Sequence, residues 1–177
     1  MCIRDSTMGV DVQKNGLFYV IQGWGFNSES WLLDHDFIAG ETEHEAVWAG
    51  LRSIITGALG QRRIDRCFID SGYRPGDVQR RPDHAVYSFC RRPPGQVFPT
   101  KGADTMDTPV RFVSLDYTVG GRVIKQGVKL FHLNTDYFKR WLHGRIRWPK
   151  DQPGGWHLHV QTTEDFCRQI VSEELLL

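Results

Sequence analysis

The sequence predicts one α/β domain on an open mixed sheet, with an antiparallel three-strand meander, parallel strands added to it, and flanking helices. Three observations predict it. Three strand-like segments open the chain at residues 9–13, 17–25 and 30–38, separated by turn residues. Helical and strand-like periodicities then alternate, as βαβ connection requires. Finally, 177 residues with 40% hydrophobic content suffice to bury one core of ordinary size.

Each element has its own signal. In 9–13, Asp11 sits between Val10 and Val12, so its side chain faces away from theirs. Lys14-Asn15-Gly16 supplies a turn, its Asn-Gly pair suited to a tight hairpin. Residues 17–25 are nearly continuously apolar, as in a strand covered on both faces, and 30–38 form a third strand. Thr42-Glu43-His44-Glu45 has the form of a capping box with Thr42 as N-cap. Val47, Leu51, Ile54, Ile55 and Ala58 follow at helical spacing, and Gly60 stands where that helix would end. Residues 63–70 read as a fourth strand ending on Asp70. A loop at 71–76 leads to a helix running to about Arg92, with Pro82 in its first turn or at a kink. Residues 96–99 form a short fifth strand leading into Thr100-Lys101-Gly102. A polar loop spans 103–109, and strands 110–119 and 122–133 flank the turn Gly120-Gly121. A helix at 135–146 carries Phe138, Trp141 and Leu142, a short strand occupies 156–160, and a last helix at 163–172 is capped by Thr162 or Thr163. No internal repeat is present. Ribonuclease-H-like folds begin with such a meander followed by alternating helices and strands; this is an analogy of fold, and function has to come from the site.

Residues 1–7 carry no periodicity and are set aside as a non-native or disordered leader, leaving 8–177 as the domain. Their start, Met-Cys-Ile-Arg-Asp-Ser, resembles the in-frame translation of a sequencing-library adaptor, so a larger parent is expected to have lost its N-terminal part. The balance of 22 Lys plus Arg against 21 Asp plus Glu leaves a net charge of +1, so any nucleic-acid contact must come from local clusters. Candidates are Arg62, Arg63 and Arg66; Arg80 and Arg81; Arg91 and Arg92; and Lys139, Arg140, Arg145, Arg147 and Lys150, with Tyr73, Trp141 and Trp148 interleaved. Cys2, Cys67, Cys90 and Cys167 show no CxxC spacing, which favours reduced thiols. No apolar run approaches the roughly 18 to 20 residues of a membrane span, so no membrane partner is expected.

The chemistry concentrates on carboxylates. Asp70 ends a strand before a glycine-containing loop, where strand ends of an open α/β sheet line a crevice. If the first and fourth strands are neighbours, Asp11 reaches the same crevice, and two like charges there need a cation. Oxygen ligation favours Mg²⁺ or Mn²⁺, and two such ions about 4 Å apart can activate water and stabilise the leaving oxygen of a phosphodiester. The competing reading has Asp70 capping its loop and Asp11 paired with a Lys or Arg. Lys101 would orient the phosphate or the water, or else be a solvated lysine. His157 and His159 alternate on one strand, but no cysteine lies near them to complete a zinc site. Neither GxxxxGK[ST] nor GxSxG occurs, so no P-loop ATPase activity and no serine nucleophile are expected.

Gly9-Val10-Asp11-Val12-Gln13, Gly23-Trp24-Gly25 with Ser30-Trp31, Ile69-Asp70-Ser71-Gly72-Tyr73 and Val86-Tyr87-Ser88-Phe89-Cys90-Arg91 resemble the C-terminal nuclease domain of lambda-type phage terminase large subunits. The resemblance continues through Thr100-Lys101-Gly102, Leu133-Asn134-Thr135-Asp136-Tyr137-Phe138-Lys139 and Gly155-Trp156-His157 to Gln169-Ile170-Val171-Ser172-Glu173-Glu174. It implies a metal-dependent endonuclease that cuts concatemeric viral DNA in the host cytoplasm, using two Mg²⁺ or Mn²⁺ ions. Double-stranded DNA, the terminase small subunit and the portal are the implied partners, the last two through the full-length protein. The resemblance marks Asp11 and Asp70 as metal ligands and Lys101 as the nuclease-site lysine. It leaves the third ligand open, with Glu173 first, Asp136 second, and His157, Glu164 or Asp165 behind them. The rival readings are another ribonuclease-H-like enzyme, such as a resolvase or transposase-type strand transferase, and a catalytically silent DNA-binding or assembly module.

Overall fold

The structure, a computed structural model, describes residues 3–57, 63–72, 85–92, 95–119, 121–149 and 151–172. β1 (Asp5–Gln13), β2 (Gly16–Trp24) and β3 (Ser30–Ala39) form the antiparallel meander. β4 (Arg66–Asp70) joins β1 in parallel and β5 (Val97–Ala103) joins β4 in parallel. β6 (Val110–Val119) and β7 (Arg122–Asn134) make an antiparallel ribbon whose second strand runs parallel to β5. β8 (Trp156–His157) adds two residues beside β3. The result is one eight-stranded mixed sheet in the order β6-β7-β5-β4-β1-β2-β3-β8, accompanied by α1 (Glu45–Thr56), α2 (Ala85–Cys90), α3 (Thr135–Ile146) and α4 (Glu164–Val171).

The core lies on one face of this sheet. Alternate residues Met8, Val10 and Val12 of β1, Leu17, Tyr19 and Ile21 of β2, and Cys67 and Ile69 of β4 are buried together. Val47, Trp48, Leu51 and Ile55 of α1 and Val86 and Phe89 of α2 cover them. Each such side chain contributes roughly 1.5–3 kcal/mol by leaving water. The opposite face is more open. Phe68 of β4, Phe98 of β5 and Phe131 of β7 form a row with centroids 5.4 to 6.0 Å apart. α3 crosses toward β2, where Trp141 meets Trp24 at 6.0 Å, yet none of its residues is buried.

Several sequence expectations are corrected. β1 begins at Asp5, so Asp5, Ser6 and Thr7 of the supposed leader belong to the sheet. Ser6 is fully buried, and its backbone N–H and hydroxyl donate to Asp65 Oδ2 at 2.8 and 2.9 Å. Thr42 caps nothing. Its buried hydroxyl donates to the carbonyl of Gln13 at 2.9 Å, tying the first hairpin to the helix approach, and α1 starts at Glu45 after His44 without a side-chain cap. Gly57, in the left-handed conformation at φ +71°, closes α1; the expected end at Gly60 lies outside the described residues, as does Pro82. β5 runs on to Ala103, which puts Lys101 inside a strand instead of after it. β8 stops at His157, so His159 does not alternate with it on a strand.

Candidate active site

β1 and β4 run parallel, and their last paired residues are Val10 and Ile69. The next residue on each strand is a carboxylate, Asp11 and Asp70. Because Val10, Val12 and Ile69 point into the core, the pleat turns Asp11 and Asp70 to the open face together. Neighbouring strands lie about 4.8 Å apart, so two aspartates distant in the chain end side by side.

Their local partners are now visible. Asp11 is exposed, and its Oδ2 accepts from Gln13 Nε2 at 2.6 Å. Asp70 is half-buried, and its Oδ1 accepts from the Gly72 N–H at 3.1 Å, an Asx turn. A Cβ on Gly72 would lie 3.2 Å from Asp70 Oδ2, so glycine keeps that oxygen approachable. Asp70 thus does cap its loop, through one oxygen. Neither aspartate forms an ion pair with Lys or Arg among the described residues. An acceptor-only pair on one face is the donor chemistry of a hard divalent cation. Among the described residues no third His, Cys, Asp or Glu closes a metal-holding group around it.

The other candidates are dispersed. Asp165, in the first turn of α4, shares with Asp11 a groove of about 450 Å³ that also touches Phe18, His35 and Gln169. Thr163 Oγ1 caps this helix by accepting from the Phe166 N–H at 3.3 Å, and an acidic residue in the first turn complements the helix dipole. Glu164 pairs with Arg168 at 2.7 Å on the solvent side. His157 bonds Glu29 at 2.8 Å and stacks on Trp31. Asp136 opens α3 and lines a different cleft. Glu173 lies outside the described residues.

Lys101 follows the pair Asp70 with Thr100 and is itself in register with His132. Strand alternation gives Thr100 the open face with the carboxylates and sends Lys101 from the other face of β5. Many of the clustered cations have structural partners. Arg92 pairs with Glu45, Arg63 donates to Gln96, and Arg145 donates to the Gly154 carbonyl while lying over Trp141 and Trp148. Arg62, Arg80, Arg81 and Lys150 lie outside the described residues. Sequence reasoning missed Gln13 and Gly72 as supports of the carboxylates. Their signal is the spacing: two residues on along a strand from Asp11, and Asp-x-Gly at Asp70.

The family model for the terminase large subunit gpA endonuclease domain matches residues 3–177. The large terminase subunit of Enterobacteria phage P21 is 27% identical over 185 residues, covering 96% of this chain and 27% of that protein. That of Escherichia phage lambda is 26% identical over 182 residues, covering 95% of this chain and 26% of the protein. The chain spans about a quarter of the length of these relatives. No solved structure matches it. With the family model running across the whole described sheet, the chain belongs to the terminase large subunit gpA endonuclease domain family.

Proposed function

We propose that this chain is a ribonuclease-H-like, metal-dependent endonuclease domain that cuts concatemeric viral DNA during phage genome packaging. The observation that carries the reading is the pair Asp11 and Asp70, each one residue past the last paired residues of adjacent parallel strands and facing one way. The strand order β3-β2-β1-β4-β5 supports the fold, and the family supports the substrate. As part of a large terminase subunit, the domain would act in the host cytoplasm and meet the small subunit and the portal through the rest of that protein.

Asp11 and Asp70 would hold Mg²⁺ or Mn²⁺. The third carboxylate would come from α4 or the segment after it: Asp165 is favoured by the groove it shares with Asp11, Glu173 by the family resemblance. Bound there, two ions would supply Lewis acidity at the phosphate and lower the pKa of an attacking water. The chain's own residues do the positioning. The Gln13 amide fixes one oxygen of Asp11 and the Gly72 N–H one oxygen of Asp70, leaving the others to face the substrate. Lys101, which leaves β5 one residue past its pairing with Asp70 but from the other face, would steady the phosphate only by passing the edge beyond β4.

The test is cleavage of plain duplex and of branched DNA with Mg²⁺ by the parent and by Asp11→Ala with Asp70→Ala. Loss of duplex cleavage by at least about 1,000-fold, with duplex binding within about two-fold of the parent, supports the reading. Undiminished cutting overturns it, preference for branched DNA moves the domain to the resolvase class, and a parent that binds but never cuts makes it a silent module.

A further inference from the structure

Beside the carboxylate rim lies a larger cleft of about 1070 Å³ that the nuclease reading leaves unused. β5 ends at Ala103 and β7 at Asn134, in register with each other. The cleft, walled by the loop after β5, the start of β6 and the first turns of α3, therefore opens at the same end of the sheet as Asp70. It sits two strands over and three residues further along them, roughly 14 Å away.

Its lining combines three chemistries. Tyr137 and Trp141, one helical turn apart on α3, supply aromatic surface. Tyr137 is 46% exposed and braced edge-on by Phe138, while Trp141 rests on Trp24. Arg111 from β6 and Arg140 from α3 supply two guanidinium groups, and neither is engaged in a hydrogen bond or ion pair among the described residues. Asp104, Asp107 and Asp136 supply carboxylates, likewise uncommitted to those arginines. Two cations left unpaired beside three anions mark a cleft fitted to a ligand that carries both an anion and hydrogen-bond donors. An aromatic wall adds a flat ring to that description. A nucleotide has all three parts: phosphate for arginine, a base for stacking, and amino groups that carboxylates accept from.

We infer that this cleft holds an unpaired nucleotide of the strand being cut. Its base lies against Tyr137 and Trp141, its phosphate on Arg111 and Arg140, and its exocyclic amino group on the aspartates. The inference rests on the endonuclease reading for its place on the substrate. A paired base is stacked inside the duplex and cannot enter, so the preferred substrate is DNA with an unpaired flank. At about 3.4 Å per stacked nucleotide, that flank begins about four nucleotides from the scissile phosphate. Among pyrimidines, an unpaired cytosine presents an exocyclic amino donor at its edge, whereas thymine's one donor, the ring N3–H, lies between two carbonyl oxygens that a carboxylate repels. The aspartates therefore select against thymine.

The test separates binding from cutting. The full chain carrying Asp11→Asn and Asp70→Asn, in EDTA, is titrated with fluorescein-labelled dC8 and dT8, read by anisotropy. dC8 is expected to bind at least about five-fold tighter than dT8. Tyr137→Ala or Arg140→Ala weakens dC8 about ten-fold, Tyr137→Phe restores it, and Asp104→Ala with Asp107→Ala removes the dC8 advantage. Equal binding of the two oligonucleotides together with no effect of Tyr137→Ala overturns the inference. In the cutting arm, the parent should cleave duplex with a two-nucleotide unpaired flank about ten-fold faster than blunt duplex, and equal rates count against the cleft. A parent that cuts nothing yet shows the dC8 pattern would sink the nuclease reading and leave the nucleotide cleft standing.

Discussion

The imidazole of His35 on β3 stacks on the ring of Phe166 in α4 with centroids 4.1 Å apart, and this contact holds α4 over the open sheet face beside Asp11. Phe166 is the one buried residue of that helix. Phe166→Ala is therefore expected to destabilise the domain by about 3 kcal/mol and to lower DNA cleavage at least ten-fold, because Asp165 loses its position. Phe166→Leu should recover most of both. Urea unfolding and cleavage rates on the same preparations check this; unchanged cleavage by Phe166→Ala would show that α4 has no part in the site.

Asp165, Asp136 and Glu173 are candidates for the third carboxylate that single isosteric variants separate. Asp165→Asn is expected to cut cleavage by about 100-fold or more with the melting temperature unmoved, whereas Asp136→Asn, in its separate cleft, changes cleavage less than ten-fold. Glu173→Gln, measured beside them, decides between α4 and the segment that follows it. Mn²⁺ binding followed by calorimetry provides the matching readout, since removing a true ligand weakens the ion as well as the rate.

Ser6 offers a test at the start of the chain. Its N–H and hydroxyl both reach Asp65 Oδ2 from a fully buried position. Ser6→Ala removes one donor to a carboxylate and is expected to lower stability by about 1–2 kcal/mol. Deleting residues 1–7 should lower it further, as it strips a third of β1 from the middle of the sheet. If denaturant midpoints stay put in both variants, these residues contribute nothing to the fold.

Burial pushes the thiols of Cys67 and Cys90 up, well above the usual range. In the unfolded chain thiols titrate near pH 8.5, so above that pH the unfolded state gives up protons that the folded state keeps. Stability is then full below about pH 8.5 and falls above it, by about 1.4 kcal/mol per pH unit for each thiol. Denaturant midpoints at pH 7.5 and 9.5 measure the loss. At pH 8 in native buffer, iodoacetamide should label the half-exposed Cys167 and spare Cys67 and Cys90; labelling of all three at equal rates would contradict their burial.

The sequence carried the sheet further than it carried the site. Alternation around Asp11 and the terminal position of Asp70 were readable because both follow from period two and from strand ends, which are local. The meander, the β6–β7 ribbon and α3 were legible for the same reason. The capping-box pattern at Thr42 cannot tell whether its hydroxyl is already spent on a carbonyl from another element, here that of Gln13. The sequence places Lys101 just after the fifth strand, as the low strand propensity of Lys and Gly suggests. Pairing with β7 extends β5 through them all the same, as tertiary context overrides propensity. The association of Asp165 with Asp11 depends on where α4 docks, a contact between residues 35 and 166 that no local pattern encodes.

β1 has a hydrogen-bonded neighbour on each side, while α3 spans the open face with no buried side chain. Amide exchange should therefore be slowest along β1 and fastest along α3, with the helix opening in sub-global steps that leave the central strands intact. On gentle warming, the wall formed by Tyr137 and Arg140 would loosen while Asp11 and Asp70 still keep their register, so the proposed nucleotide cleft would be lost before the proposed carboxylate site.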